Sequence, residues 1–239
     1  VGATYTFSGG TGNLASVAAQ SKYSYANLPT PSFKIRVKGS SFKGPASYDR
    51  VTLFAMPNRD GFDMALFQGD PGVYVLTINS TTNGRQYHDL GFVPDDSLWY
   101  VIYGQVCADA NGGRLVAIAD ASGTVIETSS SDTNTDLGGT TGELDIGPSF
   151  GGDTIIVDGL AIYNTHLTGS ARFSTPTTGD SGIVGLYKFD EGSGTSVADA
   201  TGGTSLTITG GGSWNTSDGS WDSGGGGGSL GVRSYYAHG

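Results

Sequence analysis

Apolar and polar residues alternate along most of this chain. Ser32-Phe33-Lys34-Ile35-Arg36-Val37-Lys38 sets the pattern, with Phe33, Ile35 and Val37 on one face and three cations on the other. A period of two places successive side chains on opposite faces, so this segment predicts a strand with one buried and one wet side. Further strands are predicted at residues 50–56, 62–68, 73–79, 98–108, 114–120, 124–129, 144–147, 154–163, 184–190 and 205–210. Turn chemistry separates them, as in Asn58-Arg59-Asp60-Gly61, Asn111-Gly112-Gly113 and Ala121-Ser122-Gly123. Only residues 14–20 carry a helical hint, about two turns long.

Many short strands at this spacing predict an all-β fold, an antiparallel two-sheet β-sandwich of the jelly-roll kind. Tyr5-x-Phe7-x-x-Gly10-x-Gly12 reappears as Tyr187-x-Phe189-x-x-Gly192-x-Gly194. Too little chain follows Tyr187 for a second core, so the later copy closes the first domain or pairs with a neighbour. The domain is expected to span residues 1–214, with 187–214 as that closing or donated unit. Residues 215–239 hold a run of five glycines, Gly224–Gly228, which reads as a flexible linker and tail.

Composition narrows the function. The chain of 239 residues has 41 glycines and 14% charged residues, yet its 10 Phe and 12 Tyr supply a sizeable core. Its formal net charge of −10 opposes binding to phosphate backbones and anionic membranes, so neither a nucleic-acid partner nor membrane insertion is expected. Cys107 stands alone, so no intrachain disulfide forms; it reads as a small buried hydrophobe.

Several segments resemble laminin-G-like domains of the concanavalin-A-like lectin/glucanase superfamily. Trp99–Tyr103, followed by Asn111–Thr128, is similar to the central hairpins of that family. Leu144–Gly147 and Ile155–Thr168 look like its late strands, and Phe189-Asp190-Glu191-Gly192-Ser193-Gly194-Thr195 is similar to a segment of bacterial and phage members. That segment usually precedes a sandwich, whereas here it follows one.

The resemblance implies where chemistry would sit. Laminarinase-type relatives carry Glu-x-Asp-x-x-Glu or Glu-x-Asp-x-Glu on one strand, which directs the outer carboxylates into a sugar cleft. Glu143-Leu144-Asp145 begins that pattern, but Gly147 and Pro148 stand where the second Glu belongs, so no enzyme is expected. Related lectins hold calcium in rim loops through oxygen ligands. Asn58, Asp60 and Asp63 form one such candidate and Asp190, Glu191 and Asp199 another; turn capping explains the same residues.

Glycan stacking needs aromatic faces in loops, and Tyr23, Tyr25, Tyr48, Tyr87 and Trp221 are placed there, with Tyr48, Tyr87 and Trp221 the chosen ligand residues. Trp99 and Tyr163, on strong strand patterns, are expected in the core. The Lys34/Arg36/Lys38 row reads as a solvated face or as a patch for an acidic partner. In the tail, Leu230, Val232, Arg233, Tyr235 and Tyr236 are candidates for docking on other subunits of an assembly. The expectation is a non-enzymatic structural or adhesive protein, of virion head-decoration or fibre type, at an extracellular or virion surface. The alternative is a glycan-binding module, free or from an extracellular glycosidase.

Overall fold

Backbone pairing gathers the predicted strands into two antiparallel sheets. The structure is a computed structural model that describes residues 2–8, 14–24, 27–28, 31–42, 50–56, 62–68, 74–80, 84–89, 92–105, 115–120, 125–129, 142–147, 154–217 and 221. At 19, 50, 51, 54, 62–68, 74–80, 84–89, 120 and 126–129 it describes the backbone alone. The strands begin with β1 (Thr4–Phe7), β2 (Leu14–Gln20), β3 (Ser32–Lys38), β4 (Arg50–Met56), β5 (Phe62–Gln68) and β6 (Tyr74–Ser80). They continue with β7 (Gly84–Asp89), β8 (Trp99–Gln105), β9 (Leu115–Asp120), β10 (Val125–Ser129) and β11 (Gly142–Ile146). The last are β12 (Ile155–Tyr163), β13 (Ile183–Tyr187), β14 (Ser196–Val197), β15 (Leu206–Thr209) and β16 (Gly212–Asn215).

The first sheet runs β10-β9-β8-β3-β12-β1-β16, with β13 also paired to β12. The second runs β14-β15-β2-β11-β4-β5-β6-β7. The protein is therefore an all-β, two-sheet antiparallel sandwich. Among the described residues no helix is long and apolar enough to cross a membrane.

The core follows from the alternation. Phe33, Ile35 and Val37 of β3 are fully buried and meet Leu53, Met56, Leu144 and Ile146 from the facing sheet in one hydrophobic cluster. Burying each such side chain contributes roughly 1.5–3 kcal/mol. Phe33 pairs with Gly104, where a Cβ would fall 2.3 Å from the Phe33 ring, so the ring needs a glycine opposite it.

Residues 14–20 form a strand, not a helix. Ala15 and Val17 are buried, Ser16 is half-exposed and Ala18 exposed, a period of two. Ladders to β11 and β15 on both sides outweigh the helical preference of three alanines. β7 is not foreseen by the pattern, because Gly84-Arg85-Gln86-Tyr87-His88-Asp89 has little apolar alternation. As an edge strand paired only to β6, it needs little.

The cationic face of β3 is only partly wet: Lys34 is fully buried, Arg36 and Lys38 half-exposed. Residues between β12 and β13 fold back over it through a 3-10 turn at Gly169–Arg172. Ser32 Oγ donates to the Thr165 carbonyl at 2.6 Å, and Lys34 Nζ donates to the Ala171 and Ser174 carbonyls at 2.9 and 3.0 Å. Beneath this strap Ala161, Tyr163 and Leu186 make a second, smaller cluster with Leu167 and Ile183. Arg36 pairs with the buried carboxylate of Asp158 and lies 4.7 Å from the Trp99 ring centre; Lys38 lies 5.5 Å from it. Trp99 thus belongs to the outer face, half-buried, and not to the core between the sheets. Tyr163 is buried, but under the strap.

The two Tyr-x-Phe units lie end to end along one edge of β12. β1 pairs with Ile155–Val157 and β13 with Leu160–Tyr163, and the rings of Phe7 and Phe189 meet edge-on at 6.1 Å. The late unit therefore pairs within its own chain: β15 extends the second sheet beside β2, and β16 returns to β1. Docking of the Tyr187–Asp190 strand on a neighbour by strand addition is corrected by this pairing. The far edge of β13 is also capped. Leu186 N–H donates to Asp199, Ala200 N–H donates to the Leu186 carbonyl at 2.8 Å, and Lys22 Nζ donates to the Val184 carbonyl.

Candidate functional site

With the outer face of β3 and β12 lined by the chain itself, the outer face of the second sheet is the place to look for a ligand. In β11 the burial alternates strictly: Leu144 and Ile146 are buried, while Glu143 and Asp145 are half-exposed on the opposite face. β11 lies between β2 and β4, and its register continues across the sheet. Asp145 pairs with Ser16 on one side and Ala55 on the other; Ser16 pairs with Thr207, Ala55 with Asp63, Asp63 with Asn79, and Asn79 with Arg85. Directly paired residues share a face, so this row is a polar band broken by one small residue. The next row runs Thr52, Ala65, Thr77, Tyr87.

The floor of the band lies at β4. A register shift between Thr52 and Phe54 puts Leu53 into the core and returns Thr52 and Ala55 to the same side. Ala55 is 9% exposed and Thr52 only 1%. Thr52 Oγ1 is buried with no hydrogen-bond partner among the described residues. With strands about 4.8 Å apart, the Asp145 and Asp63 backbones stand about 10 Å apart across Ala55. Register thus sets acidic positions on β11 and β5 on either side of the buried Ala55.

Asp145 is the electrostatically unusual member. Burial, and secondarily the like charge of Glu143, push its pKa up to about 6. Among the described residues no cation pairs with it. The third carboxylate of a glycosidase strand has no place here. β11 ends at Ile146, and Gly147 turns away at φ 120° with its N–H bonded to the Leu53 carbonyl.

Among the described residues, the proposed calcium ligands are not gathered. Asp199 is buried and its oxygens are engaged: one accepts from Leu186 N–H, Thr201 N–H and Thr201 Oγ1, the other from Lys22 Nζ. Burial alone would raise its pKa, but the bonds from Lys22, Thr201 and Leu186 outweigh that and hold it low. Glu191 accepts from Ala198 N–H at 2.7 Å, and Asp190 is exposed. Among the described residues no three His, Cys, Asp or Glu converge on a metal position. The Asp190, Glu191 and Asp199 set therefore does not fit calcium. Asp63 lies on β5, while Asn58 and Asp60 fall outside the described residues.

The aromatic candidates divide. Tyr87 stands in the second row of the polar face. Trp221 is half-buried against the first sheet, where a Cβ on Gly159 would come 2.7 Å from its indole, and its carbonyl accepts from Thr175 Oγ1. Tyr23 is fully buried and cannot stack on a ligand. Tyr25, Tyr48, Cys107, Leu230, Val232, Arg233, Tyr235 and Tyr236 lie outside the described residues. Ser16, Thr52 and Ala55 were not singled out from the sequence. The alternation of Leu14, Ser16 and Ala18 against Ala15 and Val17 carried the signal for Ser16; the β4 bulge that brings Thr52 to this face leaves none.

Comparison with known proteins fits this architecture. A SAP-like pentraxin from Limulus polyphemus is similar with a TM-score of 0.54 at 12% identity, over 87% of this chain and 95% of that one. The binding domain of botulinum neurotoxin DC matches at 0.42 and 11% identity, over 71% and 45%. The tailspike protein 2 domain of bacteriophage CBA120 matches at 0.41 and 11%, over 62% and 23%. At these identities the likeness is one of fold. No family model and no curated protein matches the sequence.

Proposed function

We propose that this protein is a non-enzymatic adhesive module that binds a surface glycan on the outer face of its second sheet. One observation carries the reading. The outer face of β3 and β12 is lined by the strap, Trp99 and Trp221, whereas on the second sheet Thr207 is exposed and Ser16 and Asp145 are half-exposed in one row. Hydroxyl and carboxylate groups on a rigid sheet suit the hydroxyl-rich surface of a sugar. The short, two-carboxylate strand supports binding without hydrolysis. Laminin-G-like kinship, as one branch of the jelly-roll sandwiches, belongs to the same proposal, as does an extracellular or virion location.

Glycan-array binding tests it. Ser16→Trp fills the middle of the band and Tyr87→Ala removes an aromatic position from it; both are expected to abolish the array signal in a folded protein. Signals unchanged in both variants would overturn the reading.

A second reading, docking to an assembly such as a virion head or fibre through Leu230, Val232, Arg233, Tyr235 and Tyr236, is favoured by Trp221. It holds the chain on the first sheet, opposite the glycan face, so a docked tail leaves that face free. Removing residues 222–239 is expected to prevent incorporation without loss of glycan binding; unchanged incorporation would refute it.

A further inference from the structure

Lys22 and Asp199 meet where the early and late parts of the chain are fastened together. Lys22 lies in the 3-10 turn after β2, and Asp199 follows β14 and bridges to Tyr187 at the end of β13. The Asp199 side chain is fully buried, and that of Lys22 is 26% exposed. Lys22 Nζ donates to Asp199 Oδ2 and, at 3.2 Å, to the Val184 carbonyl. The other carboxylate oxygen, Oδ1, accepts from Leu186 N–H at 3.1 Å, Thr201 N–H at 2.9 Å and Thr201 Oγ1 at 2.7 Å. Gly203 closes over the pair: a Cβ there would run into both Oδ2 and Nζ, so only glycine leaves them room.

Three donors on one carboxylate oxygen do more than hold an ion pair. They converge on the oxygen that gains charge when a nucleophile adds to Cγ, the arrangement that stabilises a tetrahedral intermediate. The nucleophile is at hand, since Nζ touches the oxygen that would leave. Holding two reacting groups in place is equivalent to effective molarities of about 10⁵–10⁸ M for well-oriented pairs, enough to drive a condensation that is unfavourable between free molecules in water. We propose that Lys22 and Asp199 condense to an intramolecular amide, a covalent tie between the turn after β2 and the late Tyr-x-Phe unit. The Nζ–Cγ bond forms as the Cγ–Oδ2 bond breaks. Two hydrogens of the ammonium leave with Oδ2 as water, and the pair is neutral before and after, so no oxidant or cofactor is consumed. Every remaining polar atom keeps a partner. Oδ1 still accepts from Leu186 and Thr201, the hydrogen left on the nitrogen still faces the Val184 carbonyl, and no buried charge remains to be compensated. Arg36 and Asp158, the other buried pair among the described residues, stay ionic because a guanidinium is not deprotonated.

Intact mass spectrometry of the full chain under denaturing conditions tests this. The wild type is expected to be lighter than its sequence by one water, with fragmentation placing the link between Lys22 and Asp199. Lys22→Arg keeps a cation for Asp199 but cannot condense. It should show its full mass and unfold at a lower urea concentration than the wild type. Full mass in aged, folded wild-type protein would overturn the proposal, because the pair would then be an ion pair only. A missing water that persists in Lys22→Arg would overturn it as well, and would assign the loss to a succinimide at an Asp-Gly step such as Asp218-Gly219.

Discussion

Tyr23 and Tyr187, 164 residues apart in sequence, share a hydrogen bond of 2.8 Å between hydroxyls in the interior of the sandwich. Tyr23 ends a 3-10 turn at Ser21–Tyr23 directly after β2; Tyr187 ends β13. Burial raises the pKa of both, so both remain neutral. Next to them Lys22 pairs with Asp199, and Gly185 leaves room for the Tyr23 hydroxyl, which a Cβ there would approach to 2.4 Å. This polar knot fastens the late Tyr-x-Phe unit to the early part of the chain. It explains why that unit belongs to its own sandwich.

Tyr187→Phe keeps the ring and removes the hydroxyl. The Tyr23 hydroxyl then loses the Tyr187 bond in a buried site, which costs about 1–3 kcal/mol. Tyr23→Phe should cost less, because the Tyr187 hydroxyl keeps the Thr204 carbonyl at 3.5 Å, and the double variant less than the sum, because the second change removes the other half of the lost bond. Urea denaturation measures all three. Strict additivity would mean that the two hydroxyls do not stabilise each other.

Lys34 sets a pH dependence of the opposite kind to an ordinary ion pair. Burial lowers its pKa to about 8, and Asp180, reached through Tyr163, offsets only part of this. The folded protein thus binds this proton less tightly than the unfolded chain does, so this group adds stability as pH rises from about 8. Above about 10 the buried tyrosines reverse the trend, because the unfolded chain then loses their protons first. Stability of the wild type relative to Lys34→Met is expected to rise between about pH 7.5 and 9.5, followed by chemical denaturation. A flat difference across that window would show that the strap does not desolvate the ammonium.

Much of the fold could be read from alternation, and the failures have physical causes. β3, β4, β5 and β12 match the prediction within a residue: β3 alternates, and β12 is a near-continuous apolar run bounded by Gly-Gly-Asp and Asn. The strap could not be foreseen. Lys34 looks solvated to any local pattern, and only the return of residues 164–182 buries it, by supplying two carbonyls, while Arg36 and Lys38 stay half-exposed beside Trp99. β2 was misread because alanine favours helices locally while two neighbouring strands decide its state. Of the candidate site, Glu143, Asp145, Asp63 and Tyr87 were recognised as chemistry-bearing, but under three separate headings. Register alone shows that they share one face.

Asp145 supplies a second pH test, independent of any ligand. Its pKa stands near 6 against an ordinary 3.8 because burial, and then Glu143, disfavour the charged form. The folded state holds this proton more tightly than the unfolded chain, so its contribution is full below about pH 4 and lost as pH rises through about 6. Allowing for screening at a half-exposed site, the loss is about 1–2 kcal/mol. Asp145→Asn should be relatively more stable near pH 7 than near pH 4, measured by thermal melts at matched ionic strength. The reverse order would mean that the carboxylate is well solvated or has a counter-charge.

Gly147 decides whether the missing glycosidase carboxylate is an accident of sequence or is excluded by the backbone. Its φ of 120° lies in a region that a side chain rarely adopts, and its N–H is tied to Leu53. Placing any Cβ there costs on the order of 1–3 kcal/mol. Gly147→Glu, which completes Glu-x-Asp-x-Glu in sequence, is therefore expected to lose about as much stability as Gly147→Ala and to gain no hydrolysis of β-glucan. The Ala variant isolates the backbone cost from that of a third carboxylate. If Glu and Ala are equally costly and both inactive, the strand's end and not its spelling keeps a third carboxylate off this face. Measurable glucan cleavage by Gly147→Glu would instead make the face a glycosidase cleft one residue short of activity.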